Sequence, residues 1–292
     1  MILVAGPTPA WQQIAVLDRL RVGEVNRARE VHWCASGKVL NVGLALTQLG
    51  ASVRTLSLVG SGASGEAMKR DMADQRVQVR WVDSIARQRV CTTLLDQATG
   101  QTTEIVENSA TATDAELAAF ELAFAEEAAT SIDFVILTGS LPTGTPSDFY
   151  ATLLNRSRVP AILDVRGAEL LAALPHRPLI VKPNREELAH TVGRELLADE
   201  DVWQAMSDLN ARGAEWVVVT NGSREVFALN NGERHCFKPP TVRVVNPIGC
   251  GDCFTAGLAF ALQRGSTILD AIRQGITAAA QNAEQLLPAR IG

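Results

Sequence analysis

Residues 242–254 of the chain read VRVVNPIGCGDCF, an apolar run followed by a glycine-rich turn and the start of a helical pattern. We predict a strand at Val242–Val245 and a helix at Phe254–Gln263. Gly249 and Gly251 allow backbone N–H groups to converge at the positive end of the helix, which makes an anion-binding turn. Asp252 falls in the first turn, where a base could take a proton from a hydroxyl beside a bound phosphoryl group. A helix whose Asp only favours the dipole is the alternative, and this stretch alone does not decide between them.

The change from an apolar run to a helical pattern repeats along the chain. Near-continuous apolar strands separated by helices predict an α/β fold with a mostly parallel sheet covered by helices on both faces. The other predicted strands are Ile2–Ala5, Val53–Val59, Phe134–Leu137, Ala161–Asp164, Leu179–Val181 and Trp216–Thr220. The other predicted helices are Val39–Leu49, Asp114–Ala129, Ser147–Leu154, Val202–Ala211 and a late helix at Thr277–Leu287.

Two segments interrupt this alternation, at about residues 9–36 and 85–109. Both alternate polar and apolar residues without helical spacing, and Asp96–Gly100 has the composition of a hairpin turn. We interpret them as a small antiparallel β lid on a single domain that spans residues 1–292. Ordinary edge strands of the main sheet are the alternative.

Composition excludes several classes of function. A formal net charge of -5 provides no positive field for nucleic acid or for an anionic membrane. No apolar run reaches the roughly 20 residues that span a bilayer. The five cysteines, an odd number scattered along the chain, favour a reducing compartment over a disulfide framework, so we expect a cytoplasmic protein.

Polar residues stand where the predicted strands end. In doubly wound sheets ligands bind outside the carboxyl ends of the strands, so these residues delimit a crevice suited to a polyphosphate and a metal ion. They are Thr138-Gly139-Ser140, Asp164, Lys182-Pro183-Asn184 with Glu187 one turn later, and Thr220-Asn221-Gly222-Ser223.

Taken together, these segments resemble the PfkB carbohydrate kinases of the ribokinase-like superfamily over essentially the full chain. Gly249–Asp252 matches the G-A-G-D turn of that family, Lys182–Glu187 its K-P-N-x-x-E segment and Gly37–Asn41 its G-K-x-x-N segment. The 1-phosphofructokinases and tagatose-6-phosphate kinases are the most similar subgroup. Asp18–Ala28, Thr103–Ile105 and the GSLPTGTP of residues 139–146 carry that finer resemblance.

The resemblance implies phosphoryl transfer from ATP, with Mg²⁺, to a hydroxyl of a sugar or sugar phosphate of the fructose 1-phosphate or tagatose 6-phosphate class. It also implies a homodimer formed through the lid. Asp252 would be the base, and Gly249, Cys250 and Gly251 would complete the anion hole. The implied acceptor-binding residues are Gln12, Gly37, Lys38, Asn41, Arg89, Glu104 and Ser140, with Lys38 the partner of a phosphate already on the acceptor. The implied nucleotide-binding residues are Lys182, Asn184, Glu187, Thr220, Gly222 and Asn282, with Glu187 also a metal ligand and Asn282 beside the adenine.

Four positions depart from the family pattern, and all concern substrate contacts. Gln12 stands where the subgroup has an Asp that binds sugar hydroxyls, and Val39 stands where it has a glycine. Arg166, with Val165 before it, replaces small polar residues, and Glu225 replaces the last glycine of a nucleotide-side motif. We infer that the chemistry is retained while substrate preference has shifted. A catalytically weak family member that senses a sugar phosphate is the alternative.

Two further motifs need an explanation. Cys250 and Cys253 form a C-x-x-C without a second pair, which favours substitution of small residues over a metal or redox site. We predict an unusually acidic Cys250 thiol, because that residue opens a helix. The GSGASG of residues 60–65 follows a predicted strand, and Asp83 comes about 20 positions later, so a nicotinamide-dependent oxidoreductase is a second, weaker hypothesis.

Overall fold

A computed structural model describes residues 1–291 of the chain. Its strands are β1 Ile2–Ala5, β2 Ala10–Leu17, β3 Glu30–Ser36, β4 Val53–Ser61, β5 Val79–Arg87, β6 Val90–Asp96, β7 Thr102–Val106, β8 Phe134–Thr138, β9 Ala161–Asp164, β10 Ile180–Val181, β11 Trp216–Val219, β12 Val226–Asn230 and β13 Glu233–Phe237. Its α-helices are α1 Lys38–Gln48, α2 Ala63–Asp74, α3 Asp114–Ala128, α4 Phe149–Leu154, α5 Gly167–Ala173, α6 Arg185–Val192, α7 Asp199–Ala211, α8 Cys250–Gln263 and α9 Ile268–Ala283. A short 3₁₀ helix covers Leu174–His176. None of the helices within residues 1–291 combines the length and the apolarity that crossing a bilayer would require.

The main sheet has nine strands in the order β13-β12-β11-β10-β9-β8-β1-β4-β5. All neighbours from β11 to β5 pair in parallel, and the β11–β12 and β12–β13 pairs are antiparallel. Parallel neighbours need crossover connections, and the helices between the parallel strands supply them. The predicted α/β class with a mostly parallel sheet is therefore confirmed.

Helices cover both faces of this sheet, so its central strands are buried on both sides. In β1, Leu3 and Ala5 pack into the core formed with helices α3 to α7, while Ile2 and Val4 pack into the core formed with α1, α2, α8 and α9. All four side chains are completely buried. This two-sided burial explains why the strands appear in the sequence as continuous apolar runs.

The lid is a separate four-stranded sheet in the order β3-β2-β6-β7. Strands β2 and β3 pair antiparallel, as do β6 and β7, whereas the two central strands β2 and β6 run parallel. The predicted hairpin at Asp96–Gly100 joins β6 to β7. Residues 85–87, which the sequence assigned to the lid, belong instead to β5 at the edge of the main sheet.

The predicted strand at Val242–Val245 is wrong. That segment has no strand partner, and the N–H groups of Val245 and Asn246 instead donate to the carbonyl of Ala283 at the end of α9, at 2.7 and 3.2 Å. The apolar run predicted a buried strand, but two of its valines remain exposed. The late helix also begins nine residues earlier than predicted, at Ile268, where Thr267 caps it.

Helices α8 and α9 pack closely because glycines lie between them. A Cβ on Gly257 would lie 2.8 Å from both Ala278 Cβ and the Gln274 carbonyl oxygen. A Cβ on Gly275 would lie 2.8 Å from the Phe254 carbonyl oxygen. This contact fixes α8, whose first turn contains Asp252.

We predict that Gly257→Ala destabilises the fold by about 1–3 kcal/mol, because the added methyl group would force the two helices apart. The measurement is urea unfolding with an unchanged m-value. Gln281→Ala, on the exposed surface of α9, is the control and should change the unfolding free energy by less than about 0.5 kcal/mol. Equal stability of Gly257→Ala and the parent protein would show that the helices are not in tight contact there.

Candidate active site

A cleft of about 740 Å³ opens at the carboxyl ends of the parallel strands, between the main sheet and the lid. Its volume is within the range of small-molecule sites. Most of the predicted site residues line it, namely Gln12, Gly37, Lys38, Asn41, Arg89, Glu104, Ser140, Lys182, Asn184, Glu187, Thr220, Gly249, Gly251 and Asp252. The fold therefore gathers residues that are up to 240 positions apart in the sequence (Gln12 to Asp252) into one site.

The glycine-rich turn has the geometry of an anion site at the N-terminus of α8. Gly249 has a φ of 85°, and a Cβ there would lie 3.0 Å from Pro288 Cβ, so both conformation and space require glycine. The N–H of Cys250 donates to the Pro247 carbonyl at 3.3 Å. Within residues 1–291 the N–H groups of Gly251 and Asp252 have no backbone acceptor, so these two remain for an anion.

Asp252 is a buried carboxylate in the first turn of α8. Its side chain is 6% exposed, and Asn41 Nδ2 donates to Oδ2 at 2.7 Å. Burial raises the pKa of Asp252 to about 6, and the charge of Asp164 adds to this effect, while Lys38, Asn41 and Lys182 oppose it. A carboxylate with this pKa is ionised at neutral pH and still accepts a proton readily.

Asp164, at the end of β9, is the centre of an ionic network. Its Oδ1 accepts from Lys38 Nζ at 2.8 Å, and its Oδ2 lies 3.2 Å from Lys182 Nζ and 3.1 Å from Thr255 Oγ1. Burial opposes ionisation of this carboxyl, but the two lysines outweigh it and hold the pKa of Asp164 below its usual range. Asp164 was predicted as a polar residue at a strand end, but not as a partner of Lys38 and Lys182. The feature of the sequence that could have indicated this pairing is a charged residue at the end of an apolar strand.

Lys38 lies between the main-sheet carboxylates and the cleft. Besides Asp164, it donates to Glu187 Oε1 at 2.9 Å, and a third of its side chain is exposed. Burial works against its charge, but Asp164, Glu187 and Asp252 outweigh that effect and raise the pKa of Lys38. Two of its three N–H donors are thus occupied, which leaves one for a ligand.

The K-P-N-x-x-E segment forms a capping box at the start of α6. Asn184 Oδ1 accepts from the Glu187 N–H at 2.8 Å, and Glu187 Oε2 accepts from the Asn184 N–H at 2.9 Å. The described part of the chain holds no cluster of three or more acidic, His or Cys side chains that would bind a metal ion. A cation at Glu187 would therefore need ligands from the phosphates of a nucleotide, which is how Mg²⁺ is commonly bound.

The lid contributes its inner face to the cleft. Gln12 Nε2 donates to Thr93 Oγ1 at 2.7 Å, which positions the Gln12 amide oxygen. Burial raises the pKa of Glu104, although Arg89 opposes this. Arg89 itself donates to the carbonyl oxygens of Pro9 at 3.0 Å, Thr8 at 2.8 Å and Glu107 at 3.3 Å. It therefore joins the lid to the end of β1, with two N–H groups left over.

Asn282, which we predicted to lie beside an adenine, has its side-chain amide bonded to the turn. It is 0% exposed, and its side chain holds the turn together through Ile248 O at 2.9 Å, Cys250 Sγ at 3.3 Å and the Ala289 N–H at 2.6 Å. The amide is thus committed to positioning the anion site. Gly222, also predicted to bind nucleotide, has a φ of 56° in the turn after β11 and is not part of the cleft wall.

The predicted acidity of Cys250 is also wrong. Burial raises the pKa of its thiol and the charge of Asp252 adds to this, while the hydrogen bond from Asn282 only partly offsets them. The helix N-terminus alone suggested an acidic thiol, and burial of the thiol reverses that expectation. Cys250 packs towards Asn282 rather than facing the cleft.

The glycine motif at residues 60–65 is explained by packing rather than by a dinucleotide. A Cβ on Gly65 would lie 2.0 Å from the Gly60 carbonyl oxygen, and one on Gly60 would lie 2.4 Å from the Gln88 backbone nitrogen. Asp83 is exposed and pairs with Lys69 at 3.1 Å. None of these residues lines the cleft.

Comparison with known proteins agrees with this geometry. The family model described as pfkB family carbohydrate kinase matches residues 9–289. This match overturns the nicotinamide-dependent oxidoreductase hypothesis.

Solved structures with the same fold cover nearly all of the chain. Phosphofructokinase-2 from Escherichia coli, in a tetrameric inhibited form, is 25% identical with a TM-score of 0.87 over 97% of this chain and 93% of that one. A possible 1-phosphofructokinase from Thermotoga maritima is 19% identical with a TM-score of 0.90 over 100% and 94%. Ribokinase from Arabidopsis thaliana, with ribose and ATP, is 21% identical with a TM-score of 0.75 over 99% and 94%. The expected ribokinase-like fold is therefore confirmed.

We predict that Asp252→Asn raises the unfolding free energy by about 1–3 kcal/mol at pH 8. The pKa of Asp252 is higher in the native protein than in the unfolded chain, so the unfolded chain loses this proton first as the pH rises. Ionised Asp252 therefore costs native stability, increasingly from about pH 4 to about pH 6 and constantly above.

Urea unfolding at pH 5 and pH 8 measures the effect, and the gain should shrink at the lower pH. Asp74→Asn, an exposed carboxylate at the end of α2, is the matched control with no such gain. A gain in Asp252→Asn that is independent of pH, or no gain, would contradict the raised pKa.

Proposed function

The chain belongs to the pfkB family of carbohydrate kinases, and we propose that it transfers the γ-phosphoryl group of ATP to a hydroxyl of a sugar phosphate. The observation that carries this proposal is Asp252, a buried carboxylate with a pKa of about 6 directly beside the free amides of an anion-binding turn. Fructose 1-phosphate and tagatose 6-phosphate are the acceptor class we favour, because the lid segments and the GSLPTGTP motif resemble those of the kinases that use them.

Residues of this chain account for each part of the transfer. The acceptor hydroxyl gives its proton to Asp252 while its oxygen bonds to the γ-phosphorus. The bond from that phosphorus to its bridging oxygen breaks, and ADP leaves with the electron pair. The N–H groups of Gly251 and Asp252 stabilise the charge on the transferring group, and Lys182 lies on the same side. Asn41, 2.7 Å from Asp252, keeps the base oriented.

The acidic edge of the cleft fits a magnesium ion that arrives with the nucleotide. Glu187 would hold Mg²⁺ together with phosphate oxygens and water, and Asn184 and Thr220 lie on the same nucleotide side. When bound, the ion neutralises charge on the phosphates. Glu187 first has to release Lys38, 2.9 Å away, or share its carboxylate with it.

On the acceptor side, the sugar would lie against the inner face of the lid. Gln12 and Glu104 offer an amide and a carboxylate to its hydroxyls, and Ser140 lies opposite them at the end of β8. A phosphate already on the sugar would take the remaining donors of Lys38 and Arg89. A neutral amide at Gln12 binds a hydroxyl less strongly than a carboxylate does, which supports a shifted acceptor preference.

We further propose a cytoplasmic homodimer that pairs through the lid. Val31, Trp33 and Ile105 share its outer face, and Trp33 is 45% exposed while stacked on Trp11 at 6.1 Å. Exposed apolar side chains on one face are typical of an interaction surface. The comparison protein from Escherichia coli has a tetrameric form, and all five cysteines of this chain are free, which supports the reducing compartment.

We predict that Trp33→Glu converts the dimer to a monomer, because a charge would be buried in the proposed interface. Sedimentation velocity at about micromolar concentration measures the state. Leu122→Glu, at an exposed apolar position of α3, is the control and should leave the dimer intact. A monomeric parent protein, or an unchanged dimer in Trp33→Glu, would refute pairing through the lid.

We predict that Asp252→Asn lowers kcat by about 10²- to 10⁴-fold, since the base is lost while the anion site remains. In the parent enzyme, kcat/KM should fall about tenfold per pH unit below the Asp252 pKa of about 6. Coupled ADP release measures both, with fructose 1-phosphate, fructose 6-phosphate, tagatose 6-phosphate, free sugars and nucleosides as acceptors. Asp74→Asn is again the control. Substantial turnover by Asp252→Asn would refute the assigned base, and binding of a sugar phosphate without turnover by the parent would favour the sensor.

A further inference from the structure

Most of the positive side chains in the cleft wall are already paired within the protein, although the proposed substrates are anions. Its wall carries the carboxylates of Glu104, Asp164, Glu169, Glu187 and Asp252 and the cations Lys38, Arg89, Arg166 and Lys182. A nucleoside triphosphate brings several more negative charges into this acidic surrounding. Binding such an anion needs cationic groups that the protein has not already neutralised.

Three of the four cations already have partners. Lys38 donates to two carboxylates, and Lys182 lies 3.2 Å from Asp164. Arg89 donates to three backbone carbonyls. Arg166 makes neither a hydrogen bond nor an ion pair through its side chain anywhere in residues 1–291, and that side chain is exposed in the cleft wall. All N–H groups of the Arg166 guanidinium are therefore available to a ligand.

The backbone holds Arg166 at a defined place. It follows β9 in extended conformation, with φ −138° and ψ 172°, directly before α5. Gly167 then turns the chain with a φ of 66°, and its N–H donates to Thr191 Oγ1 on α6 at 2.9 Å. Val165, on the other side, is buried in the core. Anchors on both sides thus fix the position from which the guanidinium reaches into the cleft.

Arg166 and the anion-binding turn belong to opposite helix layers. Helices α5 and α6 pack on one face of the sheet, whereas α1 and α8 pack on the other. The free amides of Gly251 and Asp252 therefore enter the cleft from one wall and Arg166 from the opposite wall. Lys182 lies beside the turn, with Nζ 3.7 Å from where a Cβ on Gly251 would stand. A phosphate chain bound at the turn would be contacted from both walls.

We propose that Arg166 binds the phosphate chain of the nucleoside triphosphate from the wall opposite the α8 N-terminus. This inference rests on the proposed kinase function and adds a donor-binding residue to it. The PfkB kinases that the chain resembles commonly have small polar residues here, so the guanidinium is a property of this chain. The phosphoryl donor is favoured over the acceptor because Arg89, bonded to Pro9 and Glu107, lies beside the lid, whereas Arg166 lies between β9 and α5 of the main domain.

Calorimetric titration with a non-hydrolysable ATP analogue and Mg²⁺ tests the proposal without requiring the acceptor to be known. We expect Arg166→Gln to weaken binding of the analogue roughly tenfold to a hundredfold, as for loss of a charge-assisted hydrogen-bonded contact. The affinity for ADP should fall by a similar factor or less. The affinity for AMP should fall less than about twofold, since AMP lacks the outer phosphates. Arg166→Lys should recover part of the loss, because it restores the charge without the planar fork.

Arg212→Gln, at the exposed end of α7 on the opposite edge of the sheet, is the matched control and should bind all three nucleotides as the parent does. Equal affinity of Arg166→Gln and the parent for the ATP analogue would overturn the Arg166 assignment alone. So would a raised KM for the acceptor with unchanged nucleotide affinity, which would place the guanidinium on the acceptor phosphate. A parent protein that does not bind the analogue at all would overturn both this assignment and the proposed function.

Discussion

Burial of two carboxylates at one edge of the sheet is the constraint on which the rest of the site depends. Asp164 is 1% exposed and Asp252 is 6% exposed, and the charge of Asp164 opposes ionisation of Asp252. Buried charges are tolerated only when they are paired and hydrogen-bonded. Lys38 from α1, Lys182 beyond β10 and Thr255 from α8 meet this requirement for Asp164. Four separate elements are thereby held around one point.

The same network separates the chemical roles of the two acids. Asp164 receives both lysines directly, so its pKa is below the usual range and it remains charged. Asp252 receives only the neutral amide of Asn41, so burial dominates and its pKa rises to about 6. One carboxylate thus stays charged, while the other has a pKa close to the neutral range. Pairs of acids whose surroundings move their pKa values apart are typical of acid–base sites.

Much of the site could be predicted because local sequence dictates it. Glycines such as Gly249 and Gly251 are typical of a turn that binds an anion at the start of a helix. Asn184 and Glu187 have the spacing of a capping box. Predictions from the sequence were wrong where residues distant in the sequence determine the local structure. The valines at residues 242–245 have strand composition but no strand beside them. Burial raises the pKa of the Cys250 thiol, although its place at the start of a helix suggested the opposite.

By itself, the sequence determined the α/β class and the position of the glycine-rich turn, since apolar periodicity and glycine geometry are local properties, and the family resemblance added the prediction that Asp252 is the base. Only the tertiary structure decided how those parts act together. It showed that Asp164 organises the lysines, that Lys38 is already held by two carboxylates, and that Arg166 is the cleft cation without a partner in residues 1–291. Burial and pairing of charge depend on distances between elements, and no single segment of sequence contains those distances. The turn at Gly249–Asp252 could be read along the chain, but its electrostatics could not.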